Sequence, residues 1–357
     1  MPIIPATVIG SWSLPGWYVK FCADVAQHPS QYGPDDREES LHDAVRLAID
    51  DQLRAGADII TDGEMQRVDF NLGFYDYLEG LQPLPTTRIW GPPAHDQRNK
   101  YTCIAPLKAP RGLGLVAEYR RLRQYTSLPA KMPIPGPFTL AGCIQGGDVY
   151  KNRDEITAAL LPIVNHEMKQ LVQAGVDFIQ LDEPSFACHP SLLPSPSGRG
   201  AGGEGAERFL DLIARTVAGV DAKISMHMCF GNYRGRAVGW RSYAPLFPHL
   251  ASAKVHQLAL EFASREMAEI ELVKQIPAPM ELAVGLVDVK NTWIEPPELV
   301  AQRLRETLKY IEPERVHVTP DCGFSQTARS IAQQKLANMV EGVRIVRREL
   351  KNGEAQG

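Results

Sequence analysis

The stretch "QLVQAGVDFIQLDEPS" (residues 170–185) joins a helix end to a buried strand that stops at acidic residues. Glycine just past a helix suits the left-handed conformation in which many helices end. The segment "QLRAGADIITDGEM" (52–65) repeats the plan: a helix end, an Ala-Gly turn, an aspartate, an apolar strand and then acids. Such a repeat predicts parallel strands joined by helices. Acids at the carboxyl end of each strand are typical of barrel active sites.

Apolar runs of this kind occur eight times along the chain. They cover residues 6–11, 57–63, 132–140, 177–182, 223–229, 255–261, 281–289 and 315–321. Stretches with helical periodicity lie between most of them, at 39–55, 151–175, 206–219, 264–276, 296–311 and 328–350. Eight strands with helices between most of them predict a (β/α)₈ barrel. A doubly wound open sheet is the alternative, but no glycine-rich phosphate loop follows the first strand.

Two segments depart from this plan. Residues 80–130 are long for one connection, so we expect an excursion there, such as a small hairpin or lid near the barrel mouth. Residues 194–206, "PSPSGRGAGGEGA", are rich in Pro, Gly and Ser and predict a flexible surface loop. Apart from these two segments, the strand–helix pattern is continuous, and it predicts a single catalytic domain over residues 1–357.

Composition limits the class of partner and the compartment. The net charge is −4, from 38 basic and 42 acidic residues, which predicts neither a nucleic-acid nor an anionic-membrane partner. The start "MPIIPATVIGS" does not resemble a signal peptide, and no run reaches the roughly 18 apolar residues of a membrane span. Six scattered cysteines do not form the pattern of a disulfide framework. We therefore expect a cytoplasmic protein with a small-molecule substrate.

The stretch "KISMHMCFGN" (223–232) contains a candidate metal site. His227 and Cys229 are two residues apart and would point to one face of a strand. A barrel would bring them close to the strand ends at Glu261 and Cys322. Ligands of the types N, S, O and S favour Zn²⁺ over hard cations. The alternative is a chance pair, since buried cysteines are usually inert small hydrophobes.

Seven short motifs, in one collinear order over nearly the whole chain, resemble the C-terminal catalytic barrel of the cobalamin-independent methionine synthases. They are "VIGSW" (8–12), "DGEMQR" (62–67), "GPFTL" (136–140), "QLDEPS" (180–185), "HMC" (227–229), "LALE" (258–261) and "PDCG" (320–323). The resemblance implies a zinc-dependent methyltransferase that converts homocysteine to methionine.

The resemblance also implies the residues of the metal site. The ligands to Zn²⁺ would be His227, Cys229, Glu261 and Cys322, and the substrate thiol would take a coordination position. A free thiol, with a pKa of about 8.5, is mostly protonated at neutral pH, and coordination removes the proton. Glu261 is the hard ligand of the set, so we expect it to move away when the substrate sulfur binds.

By the same resemblance, Ile9, Gly10 and Ser11 would bind the carboxylate of the amino acid. Glu64 and Asp182 would bind its ammonium, so that substitutions there should leave the zinc content unchanged. Two alternatives stay open. Asp182 could cap the following helix, and Glu64 could form a salt bridge with Arg67.

The chain also departs from the family pattern. It has no room for the second, N-terminal barrel of the full-length enzymes. Cys143 stands where the family has a tryptophan that could stack on the pterin of a folate, and Cys188 replaces a glutamate. Lys290 replaces a histidine that donates a proton, and as the candidate catalytic acid it would need a strongly lowered pKa. Methylcobalamin, whose leaving group needs no proton, is therefore the predicted methyl donor, either free or on a corrinoid protein.

Three alternatives remain at this point. The donor could be methyl-tetrahydrofolate at the same site. The acceptor could be another thiol such as coenzyme M, although Glu64 and Asp182 would not favour a sulfonate. The chain could also be a non-catalytic barrel that binds a metal or docks a corrinoid protein, which intact acids beside a zinc site would not explain.

Overall fold

The computed structural model describes residues 1–67, 72–85, 100–188, 202–232, 237 and 241–354. Its strands are β1 (Glu79–Pro83), β2 (Tyr101–Lys108), β3 (Met132–Pro135), β4 (Ile144–Gln145), β5 (Phe178–Asp182), β6 (Lys223–Met228), β7 (Gln257–Glu261), β8 (Glu281–Val287) and β9 (Val316–Pro320). Its α-helices are α1 (Gly16–Gln27), α2 (Pro34–Ala55), α3 (Leu115–Tyr125), α4 (Pro137–Ala141), α5 (Arg153–Gln173), α6 (Pro184–Cys188), α7 (Gly202–Thr216), α8 (Phe247–Leu250), α9 (Pro297–Thr307) and α10 (Arg329–Glu354).

A closed parallel barrel forms the centre of the molecule. Six strands pair in the order β3-β5-β6-β7-β8-β9, and each neighbouring pair is parallel. Two shorter extended segments complete the circle through single bridges: Ala6 with Val318, Thr7 with Ile59, and Ile60 with Ala130. These six strands and two extended segments are the eight strands of the barrel. All eight lie within or overlap the predicted runs, so the (β/α)₈ barrel is confirmed.

Strands β5 and β6 place polar side chains in the barrel interior. Ile179 and Leu181 of β5 belong to the hydrophobic core. Gln180 and Asp182 alternate with them and therefore face the opposite side, the barrel interior. The register pairs Gln180 with Ser225 and Asp182 with His227. Polar side chains of neighbouring strands therefore lie in rows inside the barrel, and the row at the carboxyl ends contains the candidate site.

The helices and strands follow the predicted pattern with two exceptions, one helix and one strand. Helix α2 ends at Gly56, whose φ of 83° is the left-handed conformation predicted for the Ala-Gly turn. The predicted helix 264–276 is instead two short 3₁₀ turns, Ala263–Arg265 and Ile270–Gln275. The predicted strand 132–140 ends at Pro135, because Pro137 occupies the first turn of α4 and favours a helix start.

The excursion at 80–130 contains the predicted hairpin. Strands β1 and β2 pair antiparallel, the short strand β4 joins β2 in parallel, and α3 follows. Residues 194–201 of the predicted flexible loop lie outside the described residues, and residues 202–206 belong to α7. None of the described helices is long and apolar enough to cross a membrane.

Candidate metal centre and active site

Three of the predicted metal ligands converge at the carboxyl end of the barrel. His227 lies at the end of β6, Cys229 follows that strand, and Cys322 follows β9. One ligand atom from each residue lies within 4.8 Å of the other two. The two sulfur atoms are 3.7 Å apart. Parallel strands therefore bring together residues that are 93 positions apart in the sequence.

His227 presents one ring nitrogen toward this cluster. Its Nδ1 lies 2.9 Å from Oδ1 of Asp182. Its Nε2 is buried and has no hydrogen-bond partner among the described residues. Burial alone would lower the pKa of His227, but the hydrogen bond to Asp182 raises it. A buried nitrogen without a partner, next to two sulfurs, fits a bound metal ion.

The two thiols differ in their tendency to ionise. A hydrogen bond from Cys229 lowers the pKa of Cys322, and it raises that of Cys229. His227 and Lys290 also lower the pKa of Cys322. Cys322 is therefore the cysteine that loses its proton more readily. A set of one imidazole and two sulfurs is typical of Zn²⁺.

Glu261, the fourth predicted ligand, lies outside the group of three. It is buried at the end of β7, and its Oε2 accepts a hydrogen bond from Lys290 Nζ at 2.6 Å. Its Oε1 accepts one from the Ser264 hydroxyl at 3.1 Å. Burial alone would lower the pKa of Lys290, but Glu261 and Asp321 raise it. This is the opposite of the shift that proton donation by Lys290 requires.

Asp321 shapes the segment beside Glu261, and the sequence reasoning missed it. Its buried carboxylate accepts three backbone N–H groups, from Phe262, Ala263 and Ser264, at 2.6–3.0 Å. It lies in the "PDCG" motif next to a ligand cysteine, and this position at a strand end was the available signal. Asp321 thus fixes the loop that supports Glu261.

Glu64 lies in a second, acidic part of the site. It has a φ of 58°, and its backbone N–H donates to Asp62. Its Oε1 is 3.2 Å from Nη1 of Arg67, so the predicted alternative of a salt bridge is present. Burial raises the pKa of Glu64 to about 8, Arg67 opposes this shift, and nearby Asp182 adds to it.

Acidic groups outnumber the cations around Glu64. Arg67 also pairs with Glu118, at 2.7 Å. Asp62 is buried, which raises its pKa to about 6. One arginine thus serves Glu64 and Glu118 while Asp62 and Asp182 lie nearby, so an incoming ammonium would supply missing positive charge.

Residues 9–11, which follow the first extended segment of the barrel, lie beside both the acidic residues around Glu64 and the two cysteines. A Cβ on Gly10 would lie 2.4 Å from Oε1 of Glu64, so only glycine permits this close approach. A Cβ on Gly323 would lie 2.0 Å from the Ser11 hydroxyl, which places Ser11 beside the residue that follows Cys322. Ile9 packs with Ala259 and Ala283. The structure thus brings the predicted carboxylate-binding segment next to both groups.

Residues 4–344 match the family described as cobalamin-independent synthase, catalytic domain. The chain belongs to this family. A methionine synthase of Thermococcus kodakarensis is 34% identical over 353 residues, which cover 98% of this chain and 95% of that relative. One of Pyrococcus furiosus is 32% identical over 354 residues, with 98% and 95% covered.

A solved structure agrees with this membership. A B12-independent methionine synthase from Shewanella, in complex with selenomethionine, aligns with a TM-score of 0.81 and 26% identity. The alignment covers 98% of this chain and 99% of that one. The resemblance to the family and the barrel fold are confirmed, and the chain is an enzyme, a methyltransferase of the methionine synthase type.

In this synthase, the Gly-Pro-x-Thr and Asp-Glu-Pro motifs are held together by Glu183. Its buried carboxylate accepts hydrogen bonds from the backbone of Phe138 and from the backbone and hydroxyl of Thr139, at 2.7–3.0 Å. Cys143, just past α4, is fully buried. Position 143 therefore does not present a surface for stacking at the barrel mouth.

Proposed function

We propose that this synthase transfers a methyl group to the thiol of homocysteine and forms methionine at a zinc site. The ligands would be His227, Cys229 and Cys322, with Glu261 as the fourth. The observation that supports this best is the buried Nε2 of His227, which lies beside two thiols and has no hydrogen-bond partner in the described part of the chain. The relatives named methionine synthase support the choice of reaction.

When bound, Zn²⁺ would lower the pKa of the substrate thiol and favour the nucleophilic thiolate at neutral pH. The chain's own groups orient the amino acid. Glu64 and Asp182 attract the ammonium, and the segment that contains Gly10 and Ser11 offers main-chain and hydroxyl donors to the carboxylate. A sulfonate thiol such as coenzyme M is less favoured, because buried acids would repel it.

Glu261 and Lys290 act as a pair in this proposal. Glu261 would be the ligand that gives up its position to the substrate, and the ammonium of Lys290 lies 2.6 Å from its carboxylate. A buried carboxylate without a partner is costly, so Lys290 would hold the Glu261 carboxylate when it is not a ligand. Lys290 is therefore assigned to Glu261 and not to proton transfer.

The methyl donor is the finer part of the proposal. The family's description as cobalamin-independent favours methyl-tetrahydrofolate, and the comparisons give no support to methylcobalamin or to a corrinoid protein partner. Methylcobalamin stays a second candidate, because Lys290 has a raised pKa and Cys143 is buried. A donor whose leaving group needs no proton would suit these two residues.

Metal analysis tests the centre. The purified protein should hold about one Zn²⁺ per chain, and Cys322→Ser should lose it because a hydroxyl is a poor ligand for zinc. Cys22→Ser, in α1, is the matched control and should keep the metal. Full zinc in Cys322→Ser would contradict the proposed site.

Methionine formation from homocysteine should then be measured with each donor. A faster rate with methyl-tetrahydrofolate assigns the folate, and a rate at least tenfold faster with methylcobalamin, about 1.4 kcal/mol in barrier, assigns the corrinoid. Homocysteine methylation by neither donor, in protein with full zinc, would refute the proposed reaction.

A further inference from the structure

A fully buried lysine inside the barrel has no part in the proposed chemistry. Lys131 immediately precedes β3 and has no exposed surface. Its Nζ donates a hydrogen bond to Oε1 of Gln180 at 2.6 Å. Buried lysines are rare because their charge loses hydration, so such a residue needs a specific reason to be there.

Lys131 is the first member of a hydrogen-bonded chain that reaches the metal centre. Gln180 donates through Nε2 to Oδ1 of Asp182 at 2.7 Å. The same oxygen lies 2.9 Å from Nδ1 of His227. Three contacts between 2.6 and 2.9 Å thus connect the barrel interior to a predicted zinc ligand.

Each contact in this chain has a direction. Burial lowers the pKa of Lys131 to about 7, although nearby Asp182 opposes this shift. The ammonium form only donates, in agreement with the observed contacts, in which the carbonyl oxygen of Gln180 faces Lys131 and its NH₂ faces Asp182. A carboxylate only accepts, so Nδ1 of His227 must carry the proton in the neutral ring. That leaves Nε2 with a free electron pair, on the side of the two cysteines. Without Lys131, the Gln180 amide could turn and place its oxygen against the Asp182 carboxylate.

We propose that Lys131 is a positioning residue that, through Gln180 and Asp182, sets the metal-binding tautomer of His227. The inference rests on the proposed zinc centre, but it concerns Lys131, which is neither a proposed metal ligand nor a proposed substrate contact. Partners behind a metal-binding histidine affect metal affinity about 10- to 100-fold.

The test compares two interior lysines. Lys131→Met should raise the zinc dissociation constant about tenfold in a chelator competition assay. Lys223→Met is the control, because Lys223 pairs with Glu281 at 2.5 Å and contacts His317, and its charge affects Lys131 only by lowering the pKa of that lysine. It should leave zinc affinity unchanged. Zinc affinity at the wild-type value in Lys131→Met, or an equal loss in both variants, would overturn the proposal.

A second variant keeps the lysine. In Gln180→Glu, the new carboxylate can pair with Lys131 but cannot donate to Asp182, so zinc affinity should fall although the buried ammonium is retained. The double variant Lys131→Met/Gln180→Leu should bind zinc no more weakly than Lys131→Met or Gln180→Leu alone, since each of these variants breaks the same hydrogen-bonded chain. Unchanged zinc affinity in Gln180→Glu, or additive losses in the double variant, would refute the chain.

A measurement on zinc-free protein separates this inference from the proposed function. At a pH above the raised pKa of His227, where its ring is neutral, ¹⁵N NMR of labelled histidine should show His227 protonated at Nδ1 in the wild type and a larger Nε2–H population in Lys131→Met. If the wild type binds no zinc, the proposed function fails, and this tautomer shift still decides the role of Lys131. The same tautomer in both proteins would refute that role.

Discussion

At the scale of single residues, Asp182 contacts a predicted zinc ligand in addition to its predicted role in ammonium binding. The resemblance implies that Asp182 binds the substrate's ammonium, and in the structure its carboxylate also accepts a hydrogen bond from His227. This contact favours an outcome different from the predicted one, in which substitution of Asp182 leaves the zinc content unchanged. The alternative role as a helix cap is not needed to explain this residue, since His227 and Gln180 already bond to its carboxylate.

Asp182→Asn should weaken both zinc and amino-acid binding. Loss of the negative charge leaves His227 with a weaker acceptor and the ammonium with one acid fewer, so we expect about tenfold weaker zinc binding and weaker binding of methionine. Glu64→Gln is the comparison, because Glu64 bonds to Arg67 and not to a metal ligand. It should weaken methionine binding only. Chelator competition and calorimetry distinguish the two, and an unchanged zinc affinity in Asp182→Asn would contradict the assignment.

Glu64 also predicts a pH dependence of ligand binding. Its pKa of about 8 means that it is mostly protonated below neutral pH, whereas an ammonium attracts only the ionised form. Binding must then release a proton, so methionine affinity should rise with pH, about tenfold per unit between pH 6 and 7, and level off near pH 8. Methionine is the suitable ligand because it has no thiol proton.

Calorimetry of methionine binding across this pH range provides the measurement. Glu64→Gln cannot ionise, and its affinity should stay nearly constant over the same interval. A wild-type profile as flat as that of Glu64→Gln would exclude Glu64 as the titrating group.

At the scale of elements, the short helix α4 depends on one carboxylate. The helix has five residues, too few for stability by itself. Glu183 accepts two backbone N–H groups and a hydroxyl at its first turn. A Cβ on Gly136 would lie 2.0 Å from that carboxylate, so glycine before the helix permits the contact. The two motifs therefore form one structural unit.

Glu183→Ala should lower the free energy of unfolding by about 3 kcal/mol, because it leaves buried donors without an acceptor. Glu207→Ala, at an exposed position of α7, is the control and should have little effect. Denaturant titration gives both values. Equal stability of the two variants would show that α4 does not need this contact.

At the scale of the whole molecule, helix α10 binds the N-terminal segment that leads into the barrel. Arg347 of α10 donates to the carbonyls of Ile3 and Ile4 at 2.8 Å and pairs with Asp58. The first two extended segments of the barrel join the sheet only through single bridges. Arg347 therefore ties the chain's beginning to its end where the barrel closes.

Arg347→Met should destabilise the protein by about 2–4 kcal/mol, since two backbone carbonyls lose the guanidinium donor and Asp58 keeps only the N–H of Ala6. The neighbouring Arg348 is exposed and contacts Glu341 on its own helix, so Arg348→Met should change stability little. Thermal and denaturant unfolding compare the two. A larger loss in Arg348→Met would contradict this account of barrel closure.

Much of this architecture follows from local sequence. The runs at 57–63 and 177–182, each with an Ala-Gly turn before it and acids at its end, specify a strand and the end at which chemistry takes place. The helix predicted at 264–276 failed because local periodicity does not register tertiary contacts: Asp321 binds the backbone at 262–264 and fixes a turn there.

The composition of the site was also readable, since His227, Cys229 and Cys322 stand at strand ends and a barrel gathers strand ends. The contacts among side chains were not. The pairing of Glu261 with Lys290 and the chain from Lys131 to His227 join residues that are 29 to 96 positions apart. Their partners are set by the register of neighbouring strands inside a closed barrel, and no local pattern of residues contains that register. The sequence by itself thus determined the strands, their order and the chemical types at their ends, and only the tertiary structure decided which polar groups meet.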